Sequence, residues 1–314
     1  MNFSLQTYHP DYLEGLTALY NAETAFEPHI APLTPERFVE LVEKKSYFDP
    51  KGLWIAVEGG QVVGWIHACV APGSEAHHDP REKVPRLRML LFPRDRLPVG
   101  RALVAEATAW LQRAGHHTIE ALHAEKGYPF YRGLWLGSEP MAPMTLPHVQ
   151  LVLRVSGYRI TQESVFMVAE MASPPPRFRP GVDLEWVQAP AEMKHEPMRE
   201  SWIGFEPMQT WALLDGEEVG RVAWVVLPQV ADRLGAPALN IWGLGVREPY
   251  RCRGFATALV SHAMSEGYAQ GARFASVGTQ LWNLPAHATY AKLGFQPYRI
   301  VVGRTRTLHT EGTA

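Results

Sequence analysis

At 314 residues the chain has room for two domains of ordinary size or one large one. Its 46% apolar and 20% charged residues fit a globular protein rather than a disordered one, and a net charge of -2 leaves no basic footprint for nucleic acid. No apolar run reaches the roughly 18–20 residues that span a bilayer. Residues 1–10 lack a basic segment followed by an apolar core, and two distant cysteines, Cys69 and Cys252, give no disulfide framework, so the expected compartment is the cytoplasm.

The chain repeats itself. At an offset of 156, Ala56, Gly60, Val63, Gly64 and Pro72 fall on Ala212, Gly216, Val219, Gly220 and Pro228, and Ala102, Leu103 and Val104 fall on Ala258, Leu259 and Val260. Gly157-Tyr158 and Gly294-Phe295 need an offset of 137, so the first half carries about 19 extra residues, placed in the Pro/Gly-rich stretch from Gly127 to Pro147. Ser173-Pro-Pro-Pro-Arg-Phe-Arg-Pro-Gly181 is neither helix nor central strand and reads as a linker. The expected division is 1–172, 173–181 and 182–314.

In the second half, 182–188 alternates as a strand and a helical region follows from Ala191. Strands 210–214 and 219–227 flank the hairpin turn Asp215-Gly216-Glu217-Glu218. A strand over 238–246 precedes a helix over 254–270 that stops at Gly271. Then come a strand over 274–279, a helix over 285–293 stopped by Gly294, and a last strand from Phe295. Antiparallel hairpins followed by a strand–helix–strand crossover make an α+β fold with a mixed sheet, one copy per half.

The chemistry concentrates where the strand over 238–246 enters the next helix. Arg251-x-x-Gly254-x-Ala256 sits at that junction. A helix N-terminus offers free N–H groups and about half a positive charge, small residues let a phosphate approach, and Arg251 and Arg253 add cations. A second segment follows, Asn283-Leu-Pro-Ala-His-Ala-Thr-Tyr290-Ala-Lys-Leu-Gly-Phe295. Tyr290 lies seven residues after Asn283, so both return to nearly one helix face.

Taken together, in this order and on these elements, the two segments resemble the GNAT superfamily of N-acetyltransferases over 182–302. The resemblance implies two tandem GNAT-like domains and acetyl-CoA as co-substrate, transferring its acyl group to a small-molecule amine. It implies that the backbone of Leu244, Gly245 and Val246 pairs with the pantetheine arm and polarises the thioester. It implies that Arg251, Cys252, Arg253, Gly254, Phe255 and Ala256 take the pyrophosphate and that Asn283 hydrogen-bonds the arm. Tyr290 would donate to the departing thiolate; with reference pKa values of about 10 and 8.5, full proton transfer is uphill by roughly 2 kcal/mol, so a hydrogen bond suffices. No metal, nucleic acid or membrane is expected, and oligomeric state stays open.

Some relatives place a glutamate base on the strand before the loop, where Asn240, Trp242, Leu244 and Val246 would share a face by the two-residue period. Asn240 occupies the glutamate's place. Glu200, Glu206 and His262 remain candidates, with nothing to choose among them. Trp202, Phe205 and Trp242 could line an acceptor pocket; they and Trp135, Trp211, Trp224 and Trp282 also read as packing. His77-His78 and His116-His117 lack metal-ligand spacing, and the arginines from Arg81 to Arg96, among acidic residues, read as a solvated surface. In the first half the 156 offset replaces Arg251, Gly254 and Ala256 by Asp95, Pro98 and Gly100, and the 137 offset replaces Asn283 and Tyr290 by Leu146 and Leu153, so that half is expected to lack a working site. A non-catalytic acyl-CoA sensor or assembly protein, and a mycothiol-synthase-like acetyltransferase, are the alternative readings.

Overall fold

In a computed structural model, which describes residues 2–72, 83–123, 129–135 and 146–308, the sequence repeat becomes an order of six strands run twice, with the helices after the fourth and fifth strands repeated too. The first half runs β1 (Ser4–Thr7), α1 (Leu13–Thr24), α2 (Pro35–Phe38), β2 (Leu53–Glu58), β3 (Gln61–Pro72), β4 (Lys83–Leu91), α3 (Leu97–Arg113), β5 (Thr118–Ala121), α4 (Pro147–Val155) and β6 (Arg159–Glu170). The second runs β7 (Glu185–Pro190), α5 (Glu196–Ser201), β8 (Met208–Leu214), β9 (Glu217–Leu227), α6 (Ala231–Leu234), β10 (Ala238–Val246), α7 (Phe255–Ala269), β11 (Phe274–Gln280), α8 (Leu284–Ala291) and β12 (Gln296–Thr307). The β8–β9 turn is a two-residue one: Asp215 (φ 53°) and Gly216 (φ 79°) both take the left-handed region that matches strand twist. The extra chain of the first half lies between β5 and α4; the stretch from Gly127 to Pro147 that contains it falls largely outside the described residues, as do His77, His78 and Arg81.

The two halves share one twelve-stranded sheet, in the order β1-β2-β3-β4-β5-β12-β6-β11-β10-β9-β8-β7. Each half ends in a single strand, and the halves exchange it. β12 pairs antiparallel with β5, β6 pairs antiparallel with β11, and β6 and β12 pair with each other at the centre. The exchange satisfies backbone edges that β5 and β11 would otherwise expose. The division at 172 and 182 is therefore one of chain order, and the sheet crosses it.

The cores follow the same logic. Leu239, Ile241, Val277, Phe255, Leu259 and Ala263 pack together between the second half's strands and α7. Their strand neighbours Val225, Leu227, Ala238 and Phe166 point the other way and join the core of the first half. The first half thus covers the face of the second-half sheet that α7 leaves bare. Two readings of burial fail. Arg86 and Arg88 on β4 are 1% and 0% exposed and both are engaged with other groups; burial is the main reason the Arg88 guanidinium drops to about 10. Trp282, expected to pack, is 75% exposed.

Candidate active site

β10 and β11 run parallel, but pair only where Ala238–Ile241 meets Phe274–Val277. Beyond that point they part, and among the described residues the end of β10 keeps β9 on one side and no strand on the other. The divergence begins at a bulge. Trp242 pairs with Ala223 and Gly245 with Arg221, so three steps on β10 oppose two on β9. Gly243, at φ 62°, supplies the left-handed residue this needs. One inserted residue inverts the two-residue alternation, which corrects the single face expected of this strand. Asn240 is fully buried and Trp242 packs toward the first half's core, whereas Leu244 and Val246 pack toward α7. A side chain at Gly245 would meet open space. Leu244, Gly245 and Val246 therefore line a wedge between strands.

The wedge leads directly to the α7 N-terminus. After β10, a short turn at Glu248–Tyr250 brings in Cys252 (φ 61°) and Gly254 (φ 86°), both left-handed, and Gly254 occupies the N-cap. A glycine there has no side chain to cap the helix, so the first N–H groups of α7 receive none. Arg251 reaches back to the Val246 carbonyl (Nε–O 3.3 Å), and the Arg253 guanidinium lies 5.8 and 5.3 Å from the ring centres of Tyr250 and Phe255. Among the described residues neither arginine pairs with a carboxylate. Uncapped N–H groups and two uncompensated cations suit an anion. Phe255 is buried in the core and offers only its backbone, while Ala256 is partly exposed beside it.

On the other wall, Asn283 caps α8. Its Oδ1 accepts from Ala286 N at 3.4 Å and its Nδ2 donates to Thr279 Oγ1 at 3.2 Å. The amide thus secures the helix that carries Tyr290. Tyr290 is 5% exposed, its ring 5.9 Å from that of Phe295, and its hydroxyl has no hydrogen bond among the described residues. Burial alone pushes the hydroxyl up to about 12.

The candidate proton acceptors separate by position. Asn240 is closed off, its Nδ2 donating to Ser276 Oγ at 3.1 Å. His262 stacks on Trp186 (4.2 Å, 12°) on the flank of α7 that faces the linker, and burial lowers its pKa. Glu200 is buried against the first half, where Ser46 Oγ donates to its Oε1 at 3.1 Å. Glu206 is exposed and borders a cavity of about 480 Å³ together with Trp202, Phe205, Arg199 and Met208. Trp202 stacks on Trp242 at 5.1 Å, which links that cavity to the mouth of the wedge.

The first half fixes this corner. Lys45 Nζ donates to Glu200 O (2.6 Å), Arg132 Nε to Ser201 Oγ (2.7 Å), and the Arg132 guanidinium sits 3.9 Å from the centre of the Trp202 ring. Sequence reading passed over Lys45, Ser46 and Arg132, and no local signal marks them, because their partners lie 69 to 155 residues away. Among the described residues no three His, Cys, Asp or Glu side chains gather to hold a metal ion, and no helix is long and apolar enough to cross a membrane.

Residues 178–295 match the Acetyltransferase (GNAT) family. That segment is a GNAT acetyltransferase domain. Over the whole chain the fold is similar to that of a tandem GNAT protein from the clavulanic acid biosynthesis pathway (17% identity, 99% of this chain and 100% of that one, TM-score 0.67). It is also similar to a GCN5-related N-acetyltransferase from Sphaerobacter thermophilus (15% identity, 98% and 96%, TM-score 0.62). A third likeness is to the glucosamine N-acetyltransferase region of a fungal β-N-acetylglucosaminidase (13% identity, 97% of this chain and 38% of that one, TM-score 0.68). At these identities the likenesses show the fold, a tandem GNAT arrangement. No curated protein matches the sequence. The family match begins at Phe178, inside the segment read as a linker, and ends at Phe295, just before the exchanged strand β12.

Proposed function

We propose that the GNAT domain moves an acetyl or other short acyl group from acyl-CoA to the primary amine of a small molecule by direct attack. The observation that carries this is the continuity of the wedge at 244–246 with the uncapped, arginine-flanked start of α7. The wedge offers backbone donors to a thioester arm, and the helix start offers N–H groups to a pyrophosphate. The amine nitrogen forms a bond to the thioester carbonyl carbon, the carbon–sulfur bond breaks, and the amine releases its proton to solvent. The thiolate leaves beside Tyr290. With the hydroxyl at about 12 and a thiol near 8.5, handing over the proton would cost about 5 kcal/mol, more than the reference values imply. Tyr290 therefore donates a hydrogen bond and keeps its proton. An amine panel assayed by thiol release, including aminoglycosides, polyamines, amino acids and a cysteinyl pseudodisaccharide, tests the reading. At least one amine should release CoA well above hydrolysis; release with none of them would sink it in favour of a sensor.

The first half holds no second site in this reading. At the place of the helix start, Pro98 is the second residue of α3 and offers no N–H, and Arg96 is paired with Glu58. The Phe92 ring lies so close over Gly100 that an added Cβ would come within 2.4 Å of it, and His148 Nε2 donates to the Phe92 carbonyl at 2.8 Å. Side chains fill the space that the second half leaves open. Calorimetric titration with acetyl-CoA should give one site per chain, and a stoichiometry of two would refute the assignment.

A further inference from the structure

The segment 175–180 between the halves is held down on α7. Phe178 N donates to Ser261 Oγ at 2.8 Å, Ser261 Oγ donates to Pro176 O at 2.8 Å, and Ser265 Oγ reaches Pro175 O at 3.5 Å. Its far end touches the loop at the α7 N-terminus. A Cβ on Gly254 would lie 3.1 Å from the Phe178 ring and 3.6 Å from Pro180 Cβ. Arg179 stands between those two residues and lines a cavity of about 200 Å³ with Arg177, Trp186, Ser261 and His262. Arg177 pairs with Glu266 at 3.4 Å, whereas Arg179 has no carboxylate partner among the described residues. Two serines of α7 thus hold an arginine from outside the loop beside an anion site that already carries Arg251 and Arg253. Phe178 and Pro180, which flank Arg179, both approach Gly254, so the Arg179 backbone lies beside the α7 N-terminus that Arg251 and Arg253 precede.

We infer that the linker is a strap belonging to the acyl-CoA site, with Arg179 binding the phosphates of the CoA nucleotide. This rests on the acyl-CoA reading above. The experiment compares acetyl-CoA with acetylpantetheine, which carries the same thioester and no nucleotide phosphates. For Arg179→Gln, KM for acetyl-CoA should rise about five- to tenfold with kcat within twofold, while kcat/KM for acetylpantetheine stays at the wild-type value. Arg179→Lys should recover most of the loss. An unchanged KM for acetyl-CoA overturns the inference, and so does an equal loss with both donors, which would make Arg179 a structural residue. Absence of acetyl-CoA binding by the wild-type protein would instead remove the reading beneath it, so the two failures are distinct.

Discussion

Tyr290→Phe should lower kcat about tenfold to a thousandfold and leave the affinity for acetyl-CoA nearly unchanged. The substitution keeps the ring that packs 5.9 Å from Phe295 and removes only an oxygen that has no hydrogen-bond partner among the described residues. What it loses appears only as the thiolate departs, which is why kcat and not KM should respond. The pH dependence follows from the same burial. A hydroxyl raised to about 12 stays protonated up to about pH 11, so it contributes no alkaline fall in kcat below that point. Profiles of the wild type and the variant should therefore run parallel from pH 7 to pH 10. If kcat with the best acceptor stays within a factor of two, Tyr290 is a packing residue and takes no part in thiolate departure.

What the sequence disclosed and withheld follows the reach of each interaction. Strand β10, the helix over 254–270 and the turn at Asp215-Gly216 were legible because caps, turn residues and periodicity act within a few residues. The exchange of β6 and β12 was not legible. A strand's alternation shows which face it buries but not which edge it joins, and these partners lie more than a hundred residues apart. At Gly243 a single inserted residue sent Leu244 and Val246 to the face opposite Trp242, and a period of two cannot register an insertion. Arg86 and Arg88 were misread for a different reason. Charge count along the chain outweighed the run Leu87, Met89, Leu90, Leu91 and Phe92 around them, which marks a buried strand. The prolines of the linker correctly excluded helix, but they carry no information about the serines on α7 that hold the segment down.

Gly254→Glu should weaken acetyl-CoA binding at least tenfold, roughly 1.4 kcal/mol, and the structure separates two causes. One is backbone strain. Gly254 sits at φ 86°, where a residue with a Cβ costs about 1–2 kcal/mol, and the new Cβ would press on the Phe178 ring. This cost lowers stability whether or not ligand is present, by a few degrees in Tm. The other is charge, since a carboxylate at the α7 N-terminus would compete with phosphate for the same N–H groups and for Arg251 and Arg253. Gly254→Asn provides the comparison, because Asn tolerates the left-handed region and brings a Cβ without a charge. If anion binding governs the site, Asn should cost affinity by no more than about threefold while Glu costs tenfold or more, and raising the salt concentration should narrow the gap. Equal losses in the two variants would mean that the loop's shape, and not its charge, sets affinity. Unchanged calorimetric affinity in a folded Gly254→Glu protein would remove this loop from the acyl-CoA site altogether.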